Sequence, residues 1–395
     1  MASFRMSRIG PLSTFLGLYA AMYAAFGAAS PFWPRYFEAR GLTPEELGLL
    51  FGLGTAIRLI AGPFANRAAD ILGALRAILA ACIVIAVMAA LGLIGAQGFW
   101  LLLIVHLVQA AALAPIPTLA DALAVRASVR RPGFEYGWVR GAASAAFIAG
   151  TLAAGQVVGH FDLSAIVWMH AALLAGALLG AVLVPESDTR AERAADPIGE
   201  SMIGGVRELL GLATFRRVIV IAALVYGSHA MHDTFSVIRW TAAGVGTAAS
   251  SLLWSEAVAA EVVVFVLVGP ILLRRLGVAG AAALAAGAGI LRWMVEAQTT
   301  AIWMLATVQP LHGFTFALMH LACMRLIADR VPAHLTATAQ ALYAVGPGLA
   351  TASLVWISGR LYGAYGPRGF LIMAALCALS LPLAVRLRDR STTSV

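Results

Sequence analysis

The chain has 395 residues, 61% hydrophobic and 12% charged, with a mean hydropathy of +0.88. That is about half the charge of an ordinary soluble domain, which leaves too little polar surface to cover a water-soluble globule. The net charge of +8 rests on 27 arginines with no lysine. These recur in alternate short loops rather than in one patch, which excludes nucleic acid as a partner.

The apolar residues fall in blocks of roughly 20, enough for a helix to cross the hydrocarbon core. Barrel strands would be shorter and would alternate, so a helical bundle is predicted. Spans are predicted at 12–36, 45–66, 75–95, 99–124, 138–159, 163–184, 215–240, 249–271, 277–297, 301–326, 335–360 and 367–386. The stretch 185–214 is polar, carrying Glu186, Asp188, Arg190, Glu192, Arg193, Asp196, Glu200, Arg207 and Glu208, with six spans on either side. This predicts an all-α membrane protein with the twelve-helix major facilitator fold, two six-helix halves around a central cavity. The halves are 1–184 and 215–395, and 185–214 is the linker. Eighteen arginines fall on the side of the termini and linker, against Arg35, Arg40, Arg360 and Arg368 on the other. By the positive-inside rule both termini are cytoplasmic.

An ionisable group inside a span is costly, so each is a functional candidate. Span 1 brings aromatic residues instead: Tyr19, Tyr23, Phe26, Phe32 and Trp33. Asp121 ends span 4 and Arg140 opens span 5 after a short loop, so a carboxylate and a guanidinium can meet as a pair. The alternative for both is an interfacial place, with their stems buried and their heads in water. In span 7, His229, His232 and Asp233 are spaced i, i+3, i+4 and share one face. They suit either a metal ion or a polar stripe facing water. Span 8 carries Glu256 and Glu261, span 9 carries Arg292, and span 10 carries His312, His320 and Arg325. Glu261, Arg292 and His312 lie on successive helices and can form one cluster, either a proton site or a fixed ion-pair lock. Cys82, Cys323 and Cys377 sit in apolar stretches without metal-ligand spacing. A phosphate-binding G-x-x-x-x-G-K-[ST] loop is impossible without lysine. No cofactor is expected, no enzymatic nucleophile motif is present, and a gradient rather than ATP would drive transport.

Several runs resemble the phenylpropionate permease family of the major facilitator superfamily. They are Ser30–Pro31–Phe32–Trp33, Gly41–Leu42–Thr43–Pro44–Glu45, Leu49–Leu50–Phe51–Gly52, Tyr136–Gly137 with Val139–Arg140, Gly227–Ser228–His229–Ala230, Arg292–Trp293 and Leu311–His312. The resemblance implies a proton-coupled importer, for the best-known member of an aromatic carboxylate. The chain is also similar, more distantly, to the lactose permease group. By that likeness Asp121 and Arg140 take the places of an acidic residue and an Arg that bind sugar, and Glu261, Arg292 and His312 those of members of the proton-coupling and sugar-binding cluster. It departs from that group at Phe147, where a Trp is usual, and at Thr315, where the proton-carrying carboxylate is usual. Asn66 replaces an Asp in the superfamily's loop signature, with Asp70 nearby. His232, Asp233 and Arg239 do not fit the phenylpropionate permease pattern.

The expectation is a symporter of a small organic anion in the inner (cytoplasmic) membrane of a bacterium, a monomer in the lipid bilayer. Asp121, Arg140, Phe147, His229 and Arg292 bind substrate; Glu261 and His312 hold the proton. The alternatives are a sugar or nucleoside transporter and, in another class, a membrane sensor or membrane enzyme founded on His229, His232 and Asp233.

Overall fold

The computed structural model describes residues 11–130, 134–185 and 200–387. The charges read at Arg5, Arg8, Arg131, Glu186, Asp188, Arg190, Glu192, Arg193, Asp196, Arg388 and Arg390, and so most of the central linker, lie outside the described residues. Within them the chain is helical: α1 Pro11–Ala29, α2 Trp33–Ala39, α3 Pro44–Leu72, α4 Leu75–Gly95, α5 Phe99–Leu113, α6 Ile116–Arg130, α7 Tyr136–His160 and α8 Ala165–Leu183. There follow α9 Glu200–Gly211, α10 Ala213–Gly227, α11 Ala230–Ala242, α12 Thr247–Val263, α13 Gly269–Gln298, α14 Ile302–Val308, α15 Met319–Arg330, α16 Thr336–Tyr365 and α17 Phe370–Val385.

Ten stretches of the described residues are long and apolar enough to cross a membrane. Two of them, Thr247–Gln298 and Ala333–Val385, run to 52 and 53 residues, roughly 78 Å of helix against a hydrocarbon core of about 30 Å. Each must cross twice. The first is broken inside α13 at Gly277, whose φ of 66° is open to glycine and strained for other residues. The second turns through the short 3₁₀ segment Gly366–Gly369. Counting these two as pairs gives the twelve passes.

Several predicted spans are interrupted, each for a local reason. The first breaks between α1 and α2 at Ser30–Phe32, where Pro31 falls and Pro34 opens the next helix. The fourth breaks at Ala114–Pro115 between α5 and α6. The seventh breaks at Ser228–His229 without a proline: Ser228 turns its hydroxyl back onto the Val225 carbonyl at 2.6 Å, a bond that competes with the helix ladder. Pro347, by contrast, lies within an unbroken α16.

The described residues fall into two compact units, one of 11–30 and 60–185, the other of 31–59 and 200–387. In the first, α1 packs on α7 and α8, and α4 on α5, α6 and α8. Glycines permit this closeness: a Cβ at Gly150 would lie 2.2 Å from the Ala24 carbonyl oxygen, and one at Gly27 2.0 Å from that of Phe147. Such small-residue contacts suit helices in lipid, where packing rather than water exclusion drives association. Thr151 adds a buried bond of 2.9 Å to the Gly27 carbonyl. In the second unit α10 packs on α16 and α17, α11 on α2 and α16, and α13 on α15 and α17. Its interior holds Trp240, Trp293 and Arg292 without exposed surface. Large apolar side chains face outward on both units, among them Phe64, Trp100, Phe161, Leu179 and Trp303. Here the outward solvent is hydrocarbon, and the tryptophans near the starts of α5 and α14 suit the lipid interface.

Candidate functional site: two polar clusters within the spans

Each unit carries a cluster of ionisable side chains within its spans. In the first, α1, α6 and α7 contribute. The Tyr19 hydroxyl donates to Asp121 Oδ1 at 2.5 Å, and Arg140 Nη1 lies 3.7 Å from Asp121 Oδ2. Arg140 Nη1 also donates to the Tyr23 hydroxyl at 2.8 Å, with its guanidinium carbon 5.7 Å from the Tyr23 ring centre. Tyr19 and Tyr23 stack at 6.0 Å, and Phe26 meets Tyr23 edge-on at 5.6 Å. Spaced three to four residues apart on α1, these rings form one face. The predicted meeting of Asp121 and Arg140 is therefore found, but loosely made. Arg140 keeps 48% of its side-chain surface exposed and Asp121 31%. A monodentate contact at this distance leaves most of the guanidinium fork open to a second anion.

Phe147 lies two turns along α7 from Arg140. Its carbonyl accepts from Thr151 at 3.0 Å and borders Gly27. Among the described residues no hydrogen bond or ring contact ties its side chain to the tyrosine group. In the same unit Asn66 pairs with Thr118, amide nitrogen to hydroxyl at 2.9 Å, so the residue standing for the usual Asp engages a neutral partner.

In the second unit the cluster centres on Arg292, a charged residue with no exposed surface. Its Nη1 contacts His312 Nδ1 at 3.1 Å, and its Nη2 contacts His232 Nε2 at 3.1 Å and Gln309 Oε1 at 2.7 Å. The guanidinium lies 4.6 Å from the Trp293 ring centre. Each histidine then reaches a carboxylate: His312 Nε2 stands 3.3 Å from Glu261 Oε2, and His232 Nδ1 stands 3.2 Å from Glu296 Oε1. Ser236 Oγ lies 2.8 Å from His232 Nδ1 and 3.4 Å from Glu296 Oε2, and Gln309 Nε2 donates to Glu296 Oε1 at 3.1 Å. Glu296 is fully buried, whereas Glu261 retains 29% of its side-chain surface. A buried charge that lost such partners would be very costly.

The predicted association of Glu261, Arg292 and His312 is present, with His312 as the link. A Cβ at Gly313 would fall 2.7 Å from the Ala260 carbonyl oxygen, so glycine there lets the two backbones approach beside Glu261 and His312. Immediately beyond each residue the helix widens into a π-turn, Val264–Val268 and Phe314–Leu318, and these two segments touch. Such turns often accompany functional positions.

The expectation that both arginines offer charge to substrate divides. Arg140 is accessible; Arg292 is enclosed and occupied. His229 is buried edge-on to the Trp293 and His312 rings, each at 5.1 Å, and its Nε2 has no partner among the described residues. His232 belongs to the cluster, where its role could not be read from the sequence, and Asp233 is exposed. Both nitrogens of His232 are engaged, and among the described residues no three His, Cys, Asp or Glu side chains are placed to hold a metal ion. Glu296 and Gln309 were missed. Glu296 carried a readable signal, an acid four residues beyond Arg292 and so on its face; Gln309 is uncharged and carried none.

Twelve apolar passes with polar clusters kept inside them fit a membrane transporter of the major facilitator type rather than an enzyme, and the family and its relatives agree. The chain belongs to the MFS_1 like family, whose pattern matches residues 12–373. It is 32% identical over 370 residues to the probable 3-phenylpropionic acid transporter of Escherichia coli K12, covering 90% of this chain and 92% of that one. An uncharacterized transporter of Bacillus subtilis, YwbF, is 22% identical over 349 residues, 88% of this chain and 85% of its own. Among solved structures the nucleoside transporter NupG superposes with a TM-score of 0.82 at 15% identity, over 96% of this chain and 98% of its own. A D-xylose–proton symporter gives 0.68 at 14%, over 98% of both. At such identities these two speak for the fold alone.

Proposed function

We propose that the chain is a proton-coupled symporter that imports a small aromatic carboxylate. The observation that carries this reading is Arg140, half exposed, held by one tyrosine hydroxyl and only loosely by Asp121, beside the stacked rings of Tyr19 and Tyr23. A substrate carboxylate can take the open side of the guanidinium as a paired hydrogen bond, and its ring can pack on the tyrosine face. The relative whose name includes 3-phenylpropionic acid supports the same ligand class. Asp121 tunes the grip of Arg140.

Glu261 carries the coupling proton, with His312 as its hydrogen-bond partner, in place of the carboxylate that Thr315 lacks. Its partial exposure lets protons reach it. On the cytoplasmic side the proton leaves toward higher pH, and carboxylate binding weakens with it. The twelve spans work as two halves, 1–184 and 215–395, joined by 185–214. The protein acts as a monomer in the bacterial inner membrane with both termini cytoplasmic.

Uptake of labelled 3-phenylpropionate into proteoliposomes tests this. Accumulation under an inward proton gradient, abolished by a protonophore, is the expected result. Accumulation of a sugar or nucleoside with no uptake of the acid overturns the carboxylate assignment.

A further inference from the structure

Arginine has donors and no acceptor. Where Arg292 meets an imidazole nitrogen, that nitrogen must therefore be unprotonated and accept. Arg292 does this twice, at Nδ1 of His312 and at Nε2 of His232. Each histidine is left with its other nitrogen to carry hydrogen, and in both cases that nitrogen faces a carboxylate, Glu261 for His312 and Glu296 for His232. The result is one guanidinium with two arms, each running arginine, histidine, glutamate. One arm ends at a carboxylate with exposed surface, the other at one with none.

We propose that His232 and Glu296 are positioning residues for coupling: they hold Arg292 so that it caps His312, which keeps His312 neutral with its hydrogen aimed at Glu261. The exchangeable proton then belongs to Glu261 alone. This rests on the proton-coupled reading above. Glu296 is well built for an anchor: it accepts from Gln309 and Ser236 and faces His232, while Gln309 in turn accepts from Arg292. Arg292 Nε has no partner among the described residues, so its orientation depends on the two Nη arms. The groups facing His312 are Arg292 from α13, Glu261 from α12, His229 at the junction of α10 and α11, and His232 from the first turn of α11. Glu261 also feels His320 and Tyr226, Glu296 feels Arg239, and Arg292 feels Asp233.

Nitrogen-15 NMR of histidine-labelled, detergent-solubilised protein at neutral pH reads the arrangement directly, with signals assigned by their loss in His312→Gln and His232→Gln samples. The expected spectrum has His312 as the Nε2–H tautomer and His232 as the Nδ1–H tautomer. His312 found protonated on Nδ1, alone or as imidazolium, overturns the proposal. This arm decides the question whether or not wild-type uptake follows a pH gradient, so a failure of the symporter reading would show separately, in the uptake assay. The second arm uses Glu296→Gln, which keeps the shape and removes the charge. Arg292, then balanced only by Asp233, opposes a proton arriving at Glu261 more strongly, so half-maximal uptake moves about one pH unit to the acid side, and His312 shows a mixture of tautomers. A folded Glu296→Gln protein with an unchanged uptake–pH curve and a single His312 tautomer would overturn the anchor role.

Discussion

The two polar clusters answer the same physical problem in opposite ways. The tyrosine-bordered pair in the first unit keeps Asp121 and Arg140 partly exposed and 3.7 Å apart. The Arg292 network in the second encloses its cation completely and gives three of its bonds to His312, His232 and Gln309. A loose, wet pair contributes little to stability and remains free to change partners. An enclosed network is costly to break and poorly suited to receive a ligand. On the proposed function, binding and scaffolding are separated between two arginines that a charge-in-a-span rule ranks as equals.

The contrast breaks down if the two arginines behave alike on removal, and the largest effect is expected at the enclosed one. Arg292→Ala takes from buried Glu296 one of its two cationic neighbours, leaving Arg239, and empties the centre of the network; it should cost about 3–5 kcal/mol of stability, read as a lowered melting temperature in detergent. Arg140→Ala should leave stability within about 1 kcal/mol of the parent. Its loss falls on the ligand instead: removing a charge-assisted hydrogen bond of about 1.5–3 kcal/mol weakens carboxylate binding roughly 10- to 100-fold, as titration calorimetry would measure. Equal melting losses in the two variants would refute the division.

The next effect sharpens the comparison on the side of protons. A one-unit pH gradient coupled to one proton supports about tenfold accumulation. Glu261→Gln cannot release that proton, so it should lose this tenfold gradient-driven accumulation while still exchanging internal for external substrate. The proposed cycle sets the sign: wild-type uptake should rise as the outside is acidified and Glu261 loads, whereas the variant, always neutral at 261, should be flat. A Glu261→Gln protein that still follows the imposed gradient places the proton elsewhere.

How much of this was legible depended on whether a position carried charge. Asp121 and Arg140 announced each other because a short loop joins their spans, and Glu261, Arg292 and His312 because three successive helices each spend an ionisable group. The twelve passes were readable from hydropathy, including the pair that meets at Gly277. Other features left no such trace. Gln309 holds the network together without a charge, and the π-turn at Val264–Val268 is, in sequence, an ordinary apolar run. The break at Ser228–His229 lacks the proline that marks the other interrupted spans. That 31–59 packs with 200–387 was also hidden, since all the spans are about equally apolar and partner choice lies in small contacts. One such contact is Gly48 on Gly359, where a Cβ would stand 2.7 Å from the facing Cα.

The smallest expected effect probes the ring face of the open cluster. Tyr23 serves Arg140 twice, through a hydroxyl at 2.8 Å and through a ring 5.7 Å from the guanidinium carbon. Tyr23→Phe keeps the ring and removes the hydroxyl, a neutral partner to a charged donor that remains accessible to water. Water can replace that bond, so the loss should stay near 0.5–1.5 kcal/mol, or roughly two- to tenfold in carboxylate affinity. Tyr23→Leu removes both services, and the further loss it shows over Tyr23→Phe measures what the aromatic face contributes. An aromatic acid should lose more than an aliphatic acid of similar length in that second step, because only the aromatic acid packs a ring on the tyrosine. Equal losses for the two acids would leave Arg140 as an anion site and remove the ring face from the recognition of substrate.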